Sequence, residues 1–253
     1  MLKFRKLAQP ETLAEALKLN QGRANVVLGG TGWLKMGTRT WATAIDLGRL
    51  GLDAIEESET EFRIGAMAAL RMLETHPGLN AYTNGAIADC VSHIVGTQFR
   101  ACATVGGTIW GRYGFSDVLT CFLALDTEVV LAQGGVVPLT EFAERKPDRD
   151  ILTHVIVKKT PLRVVYTSFR NTETDFPVLT AAAAQTSDGL RVCIGARPAR
   201  AVRVTGAEEA ELICAVDALN YGSNTRASGD YRRHMAQVLT RRCLEKLKGD
   251  VQA

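Results

Sequence analysis

Two glycine-rich runs are the parts of this sequence best suited to hold a ligand. The first is Gly29-Gly30-Thr31-Gly32, and the second is Gly106-Gly107, inside the segment 103–109. Glycine lacks a Cβ, so its backbone can take positive φ and bring N–H groups directly against a ligand. Successive N–H groups form a concave nest that suits the oxygens of a pyrophosphate. A threonine beside each run can add a hydroxyl donor.

Neither run has the spacing of a common nucleotide motif. The G-x-G-x-x-G of a Rossmann turn and the G-K-(S/T) of a P-loop are both missing. Tight turns are the alternative, because glycine is the default turn residue, and for one Gly-Gly pair alone that alternative is favoured. Two such runs, each after an apolar strand-like segment, favour a dinucleotide site without identifying the dinucleotide.

The composition predicts a cytoplasmic protein that binds neither nucleic acid nor membrane. The chain has 253 residues, 46% of them hydrophobic, and its 30 basic and 27 acidic residues give a net charge of +3. The basic residues form no block that would bind nucleic acid or a membrane surface. No apolar run approaches the roughly 20 residues of a membrane span, and the N-terminus does not resemble a signal peptide.

No metal is expected in this chain. The six cysteines include no C-x-x-C pair, and none has a histidine at metal-ligand spacing. Zinc and iron–sulfur sites need such clusters. The cysteines are therefore expected to be reduced thiols that are buried or partly buried.

The elements that must position the two runs indicate an α+β fold. An amphipathic helix is predicted after Pro10, and the first run directly follows a short strand, 25–28. Residues 118–125 are apolar almost all round, as in a buried helix. Strands that cluster between helices, without regular βαβ alternation, favour α+β. The other predicted elements are hairpins at 127–139 and 178–195, strands at 44–47, 61–66, 151–157 and 163–169, and helices at 79–95 and at the C-terminus.

The second run carries the most specific resemblance to a known family. Residues 103–109, Ala-Thr-Val-Gly-Gly-Thr-Ile, followed at the matching distance by Asp117, resemble the A-T-(I/V/L)-G-G-N-(I/L)-x7-D of the FAD subunits of molybdenum hydroxylases. This family includes the flavin domain of xanthine dehydrogenase and the medium subunit of aerobic carbon monoxide dehydrogenase. In the first run, residues 28–31 resemble the family's A-G-G-T-(D/E) loop.

Shorter resemblances follow in family order along nearly the whole chain. Residues 96–100 resemble Q-(I/V)-R-N, 123–126 resemble A-L-L-A-L-D-A, and 137–142 resemble V-P-L-x-(D/E)-F-F. Residues 231–235 are similar to the Y-R-R-x-(L/M) helix that closes the family's C-terminal domain.

The chain also departs from the family pattern at several positions. Gly32 stands where the family usually has Asp or Glu, and Thr108 replaces Asn. Residues 110–115 replace a run of small residues and proline, and the lysine that the family often carries near Tyr166 is missing. These changes concern the environment of the flavin and the identity of the electron acceptor.

The resemblance implies an architecture of three parts. Two small α+β FAD-binding subdomains, 1–55 and 56–160, would hold FAD extended between them. A C-terminal α+β domain, 161–253, would lie behind them.

The resemblance also implies which residues hold FAD. The segment 26–33 would line the pyrophosphate and ribityl chain, Ile94 would lie near the flavin, and Leu152 would pack on an apolar part of the cofactor. Asp117 would bind a cofactor hydroxyl. The implied FAD-binding residues are Val26, Val27, Leu28, Gly29, Gly30, Thr31, Gly32, Trp33, Ile94, Thr104, Gly107, Thr108, Gly111, Asp117 and Leu152.

For Asp117, the chemistry of the side chain agrees with the resemblance. A carboxylate accepts hydrogen bonds from hydroxyl groups and would be a poor neighbour for phosphate. Its alternative role is the N-cap of the helix expected to start at Val118, and the two roles are compatible.

The resemblance implies an electron-transfer subunit with no catalytic side chain of its own. Electrons from a molybdenum-cofactor subunit would pass through a 2Fe-2S subunit to noncovalent FAD, and from there to NAD or another acceptor. A self-contained flavin oxidoreductase of related fold and a scaffold subunit that has lost FAD are the alternatives. Trp110, Tyr113 and Phe115 are expected either to dock a partner or to fold over the cofactor.

Overall fold

Three β-sheets follow one another along residues 1–249, the part of the chain that the computed structural model describes. Sheet 1 has the strand order β1-β3-β2, sheet 2 the order β4-β5-β8-β6-β7, and sheet 3 the order β12-β11-β10-β9. The strands are β1 (Lys3–Ala8), β2 (Asn25–Leu28), β3 (Thr40–Asp46), β4 (Ile55–Glu57), β5 (Glu61–Gly65), β6 (Thr127–Leu131), β7 (Gly135–Pro138), β8 (Leu152–Lys158), β9 (Leu162–Phe169), β10 (Leu179–Thr186), β11 (Gly189–Gly195) and β12 (Val202–Gly206).

Helices pack on these sheets and connect them, which gives the α+β fold that the sequence predicted. They are α1 (Leu13–Asn20), α2 (Leu70–Thr75), α3 (Pro77–Tyr82), α4 (Ala86–Ser92), α5 (Thr97–Cys102), α6 (Val105–Gly111), α7 (Asp117–Ala124), α8 (Leu139–Glu144), α9 (Glu209–Asp217) and α10 (Gly229–Gly249). Residues Leu34–Met36 form one turn of 3-10 helix after β2.

Sheet 1 differs from the expected pattern because it is parallel. Both β1 and β2 pair with β3 in the parallel sense, and α1 connects β1 to β2 as a crossover helix. Sequence analysis missed β1 because its side chains are almost all exposed, so it lacks the apolar alternation of a half-buried strand. Sheets 2 and 3 are antiparallel, and the hairpins β6–β7 and β10–β11 confirm the two predicted ones.

The predicted helix over 79–95 is two helices in the structure. The chain leaves α3 and enters α4 through Asn84 and Gly85, which both have left-handed φ, 47° and 80°. Consecutive left-handed residues cannot continue a right-handed helix. The predicted buried helix at 118–125 is confirmed as α7, and all eight of its residues are buried.

Alternate alanines of β10 belong to two different cores. Ala182 and Ala184 pack in the large core that includes α7, whereas Ala181 and Ala183 pack in the core beneath α10. Successive side chains of a strand point to opposite faces, so β10 is buried on both sides. Small side chains on both faces let the helices approach this strand closely.

The boundary proposed at 160 lies between sheets 2 and 3, whereas the boundary at 55 falls within β4, and the hydrophobic cores cross both. Sheet 3 begins at Leu162, close to the boundary at 160. Tyr166 of sheet 3 lies in the same core as Phe122 of α7, and Ile151 packs with Ile45 of sheet 1. The division into 1–55, 56–160 and 161–253 therefore stays a prediction, and residues 250–253 lie outside the described part of the chain.

Arg232 connects α10 to sheet 3 and to the loop before α10. It is 1% exposed, and its guanidinium donates to the carbonyls of Val178 (2.9 Å), Gly222 and Ala227 (both 2.7 Å) and to Oδ1 of Asn224 (2.6 Å). The arginine of the Y-R-R-x-(L/M) motif therefore has a structural role, because it satisfies acceptors that would otherwise be buried without donors.

We expect Arg232→Met to lower the free energy of unfolding by about 3 kcal/mol, because several buried hydrogen bonds of a charged donor are lost. Urea denaturation followed by circular dichroism measures this change. Arg233→Met is the matched control, since Arg233 is the exposed neighbour and surface substitutions usually change stability by within about 0.5 kcal/mol. Equal urea midpoints for the two variants would contradict the role given to Arg232.

Candidate functional site

A cavity of about 700 Å³ lies where the three sheets meet. Its wall includes residues after β2, the helix α6, the start of β8 and the loop after β9. The volume lies in the range of about 300 to 1,000 Å³ that small-molecule sites usually have. All fifteen residues that the family resemblance assigned to FAD line this one cavity. Their contact with the cofactor itself stays a prediction.

The two glycine runs touch each other at the centre of the wall. Oγ1 of Thr104 accepts hydrogen bonds from the N–H groups of Gly30 (3.3 Å) and Gly107 (3.2 Å). A Cβ added to Gly30 would lie 2.0 Å from the carbonyl oxygen of Cys102 and 2.4 Å from Cα of Ala103. Any side chain at Gly30 would therefore push the first run away from the segment between α5 and α6.

The expectation that these glycines provide positive φ is wrong. The left-handed residue of the first run is Thr31, with φ 53°, and Gly106 and Gly107 lie in the first turn of α6. A Cβ on Gly106 would lie 2.6 Å from Cβ of Ala66. The glycines serve close packing between segments that are far apart in sequence.

Free backbone donors lie in the first run. In the described chain, the N–H groups of Gly32, Trp33 and Leu34 donate to no protein atom, and they are adjacent at the start of the 3-10 turn. Such a group of N–H donors is a ready anion site. Lys35 lies next to them on the cavity wall and forms no ion pair with any carboxylate of residues 1–249.

The first N–H groups of α6, by contrast, already have partners inside the protein. The N–H of Val105 donates to the carbonyl of Ala68 (2.9 Å), and that of Gly106 donates to the carbonyl of Ala66 (2.8 Å). Together with the bond from Gly107 to Thr104, these contacts leave fewer donors for a ligand than the sequence suggested. The second run contributes mainly shape and hydroxyl groups to the cavity.

The family departure at Gly32 has a steric reason in this chain. A Cβ on Gly32 would lie 2.5 Å from the ring of Phe99. Phe99 occupies the position where the Q-(I/V)-R-N motif has a smaller residue. The larger residue in the first of these motifs, Phe99, thus occurs together with glycine at position 32 in the other.

Arg100 fixes the segment that brings Ile94 to the cavity. Its Nε and Nη2 donate to the two carboxylate oxygens of Glu74 (2.8 and 3.1 Å), and its Nη1 donates to the carbonyl of Ile94 (3.2 Å). Burial works to raise the pKa of Glu74, but the hydrogen bonds and charges of Arg100 and Arg71 outweigh burial and lower it. The carboxylate of Glu74 therefore stays charged and can pair with Arg100.

Asp117 is the first residue of α7 and not its N-cap, which corrects the alternative role proposed for it. The N-cap is Ser116, whose Oγ accepts from the N–H of Leu119 (3.1 Å). The same Oγ hydrogen-bonds with the hydroxyl of Thr108 (2.8 Å), which connects α6 to α7. Asp117 is 4% exposed and faces the cavity.

Tyr166 on β9 and Arg170, just after β9, hold Asp117. The hydroxyl of Tyr166 donates to Oδ1 of Asp117 (2.5 Å), and Nη2 of Arg170 donates to the same oxygen. Burial raises the pKa of Asp117, although Arg170 and Tyr166 oppose this shift. Sequence analysis missed Arg170 and Tyr166 because no local pattern connects them to Asp117 at a separation of about 50 residues.

Four aromatic rings from three separate loops form a cluster on the cavity wall. Trp33 lies 4.9 Å from Phe115 and 5.6 Å from Tyr113, and Phe176 lies 4.5 Å from Phe115, all between ring centroids. Trp33 is 47% exposed and Phe176 is 39% exposed. Trp110 lies outside this cluster and packs partly against the core, but it lines the same cavity as Tyr113 and Phe115.

The described residues contain neither a cluster that could hold a metal ion nor a helix that could cross a membrane. Among residues 1–249, no three His, Cys, Asp or Glu side chains are placed to hold a metal ion. All six cysteines are free thiols. No helix in that range has the length and apolar character needed to cross a bilayer.

Comparisons with known proteins identify the family and the fold. The family described as "FAD binding domain in molybdopterin dehydrogenase" matches residues 2–160. A protein of Escherichia coli K12 named "Uncharacterized protein YgfM" is 29% identical over 243 residues, which cover 91% of this chain and 92% of that protein.

Solved structures share the fold at low identity. A chain of quinoline 2-oxidoreductase from Pseudomonas putida 86 superposes with a TM-score of 0.83 at 18% identity, covering 100% of this chain and 99% of that one. A chain of carbon monoxide dehydrogenase from Hydrogenophaga pseudoflava gives a TM-score of 0.87 at 20% identity, covering 98% and 99%. The enzyme from Oligotropha carboxidovorans gives 0.87 at 21% identity, also covering 98% and 99%.

We expect Gly30→Ala to separate the two glycine runs and to cost about 3 kcal/mol or more of unfolding free energy, because the new methyl group meets backbone that cannot move aside. Thermal unfolding measures the loss. Gly96→Ala is the matched control, since a Cβ there would meet only Gln98 Oε1, at 3.6 Å. A Gly30→Ala protein as stable as the control would show that the runs do not depend on this contact.

Proposed function

Because the chain belongs to the family of FAD-binding domains in molybdopterin dehydrogenases, we propose that it is the electron-transfer subunit of such an enzyme. In this role it receives electrons from iron–sulfur clusters on one partner subunit, fed by a molybdenum centre on another, and delivers them to NAD or another acceptor. The observation that carries the proposal is the single cavity that all fifteen FAD residues implied by the family pattern line.

The residues present fit FAD. Among the described residues, the N–H groups of 32–34 have no protein acceptor and Lys35 has no ion-pair partner, which suits the negative charge of a pyrophosphate. Asp117 offers a carboxylate to hydroxyl groups, and the aromatic cluster around Trp33 offers ring surfaces for stacking. Bound FAD supplies the redox chemistry, and the protein supplies binding, orientation and exclusion of water.

The fold supports a place in a multi-subunit enzyme. The chains of similar fold come from carbon monoxide dehydrogenases and a quinoline oxidoreductase, and one of those structures is described as lacking the Mo-pyranopterin moiety of its molybdenum cofactor. We assign this chain the same kind of partners, a molybdenum-cofactor subunit and a 2Fe-2S subunit.

We expect the purified chain to bind about one FAD noncovalently, since its cavity has both anion donors and aromatic surfaces. Flavin absorption bands of the purified or FAD-reconstituted protein measure the stoichiometry, and acid precipitation should release the yellow cofactor. Flavin that stays in the pellet would show a covalent link. A colourless protein that cannot be reconstituted would favour the scaffold alternative.

We also expect the chain to work only in a complex, because its function requires electrons from a molybdenum centre through iron–sulfur relays. An affinity-tagged chain isolated from its native source should carry molybdenum and iron in elemental analysis, and its flavin should be reduced by the substrate of that complex. A flavoprotein recovered alone that turns over a small substrate would favour the self-contained oxidoreductase instead.

A further inference from the structure

Arg170 carries one donor that no residue of the described chain uses. Its Nη1 donates to the carbonyl of Asp175 (2.5 Å) and its Nη2 to Oδ1 of Asp117, but its Nε has no hydrogen-bond partner among the described residues. The side chain is 8% exposed and lines the cavity. A buried donor without an acceptor loses hydration and gains nothing in return. The hydrogen bonds of Arg170 to Asp117 and Asp175 have to offset that cost.

Asp117 presents the matching acceptor. Its Oδ1 takes both hydrogen bonds, from Tyr166 and from Arg170. Its Oδ2 receives none from another residue of the described chain, although a carboxylate oxygen has two lone pairs to offer. The Asp117–Arg170 pair therefore leaves Oδ2 available as an acceptor, while its own charges neutralise each other.

We propose that Arg170 is a positioning residue of the cofactor site, which holds Asp117 as a carboxylate with Oδ2 free to accept a hydrogen bond from a cofactor hydroxyl. This inference rests on the proposed function. A hydroxyl group of a sugar-alcohol chain such as the ribityl of FAD has the required chemistry, because it can donate a hydrogen bond to a carboxylate oxygen.

The surroundings of Asp117 make this role necessary. Among the described residues, Tyr166 on β9, Arg170 after β9 and Cys90 on α4 interact electrostatically with Asp117. A second carboxylate on the cavity wall, that of Asp175, is paired with Arg226. Burial alone drives the pKa of Asp117 upward, and Arg170 is the only cation whose charge opposes this among the groups that shift it. Without Arg170 the carboxyl group would hold its proton to higher pH, and a protonated carboxyl group is a poorer acceptor.

The test is the pH profile of FAD affinity, measured by quenching of flavin fluorescence between about pH 6 and pH 9 for the wild type and three variants. Arg170→Met should bind FAD about tenfold more weakly at the acid end and recover part of this loss as the pH rises, since Asp117 must ionise without its partner. Arg170→Lys keeps the charge that opposes protonation of Asp117, so its profile should not shift from that of the wild type. Asp117→Asn should bind weakly with no pH dependence in this range.

Several results separate the possible outcomes. A pH-independent loss in Arg170→Met would show that Arg170 is merely structural, and unchanged affinity would also overturn the proposal. If Arg170→Met does not fold, as judged by circular dichroism, a profile of Arg170→Lys displaced from that of the wild type would still contradict it. A wild-type chain that binds no FAD at any pH would instead defeat the proposed function, which distinguishes the two failures.

Discussion

The cavity depends on the direct contact between two backbone segments that are about 75 residues apart, Gly29-Gly30 and Cys102 to Gly107. Oγ1 of Thr104 accepts from both segments, and the space between Gly30 and the carbonyl of Cys102 admits no Cβ. This contact joins sheet 1 to α6, which packs on sheet 2. Just beyond this contact, the N–H groups of residues 32–34 have no acceptor among the described residues.

A second constraint is the burial of charge at the far side of the cavity. Asp117 is the first residue of α7, a helix in which every residue is buried. Its carboxyl group is accommodated there because Arg170 and Tyr166 donate hydrogen bonds to one of its oxygens. Breaking a buried pair by removing one partner leaves an uncompensated charge, which is strongly destabilising. The loop after β9 thereby becomes part of the cavity wall, and sheet 3 contributes to a site that the sequence assigned to the first two parts of the chain.

The motifs outside the glycine runs maintain the fold around the site. Arg100 pairs with Glu74 and holds the carbonyl of Ile94, and Arg232 satisfies acceptors at the start of β10 and before α10. Neither arginine lines the cavity. Buried arginines with several acceptors are recognisable in a family pattern because few other side chains can replace a planar group with five donors.

Local pattern alone determined the helix α7, the two hairpins and the strand β2, because each has a periodicity or turn chemistry that acts over a few residues. The family resemblance added fifteen positions that line one cavity. Tertiary structure alone decided the rest: the exposed strand β1, the reason for glycine at Gly30, and the pairing of Asp117 with Arg170. These features arise from contacts between segments that are distant in sequence. Neither the spacing nor the type of a residue predicts which atoms it will contact there.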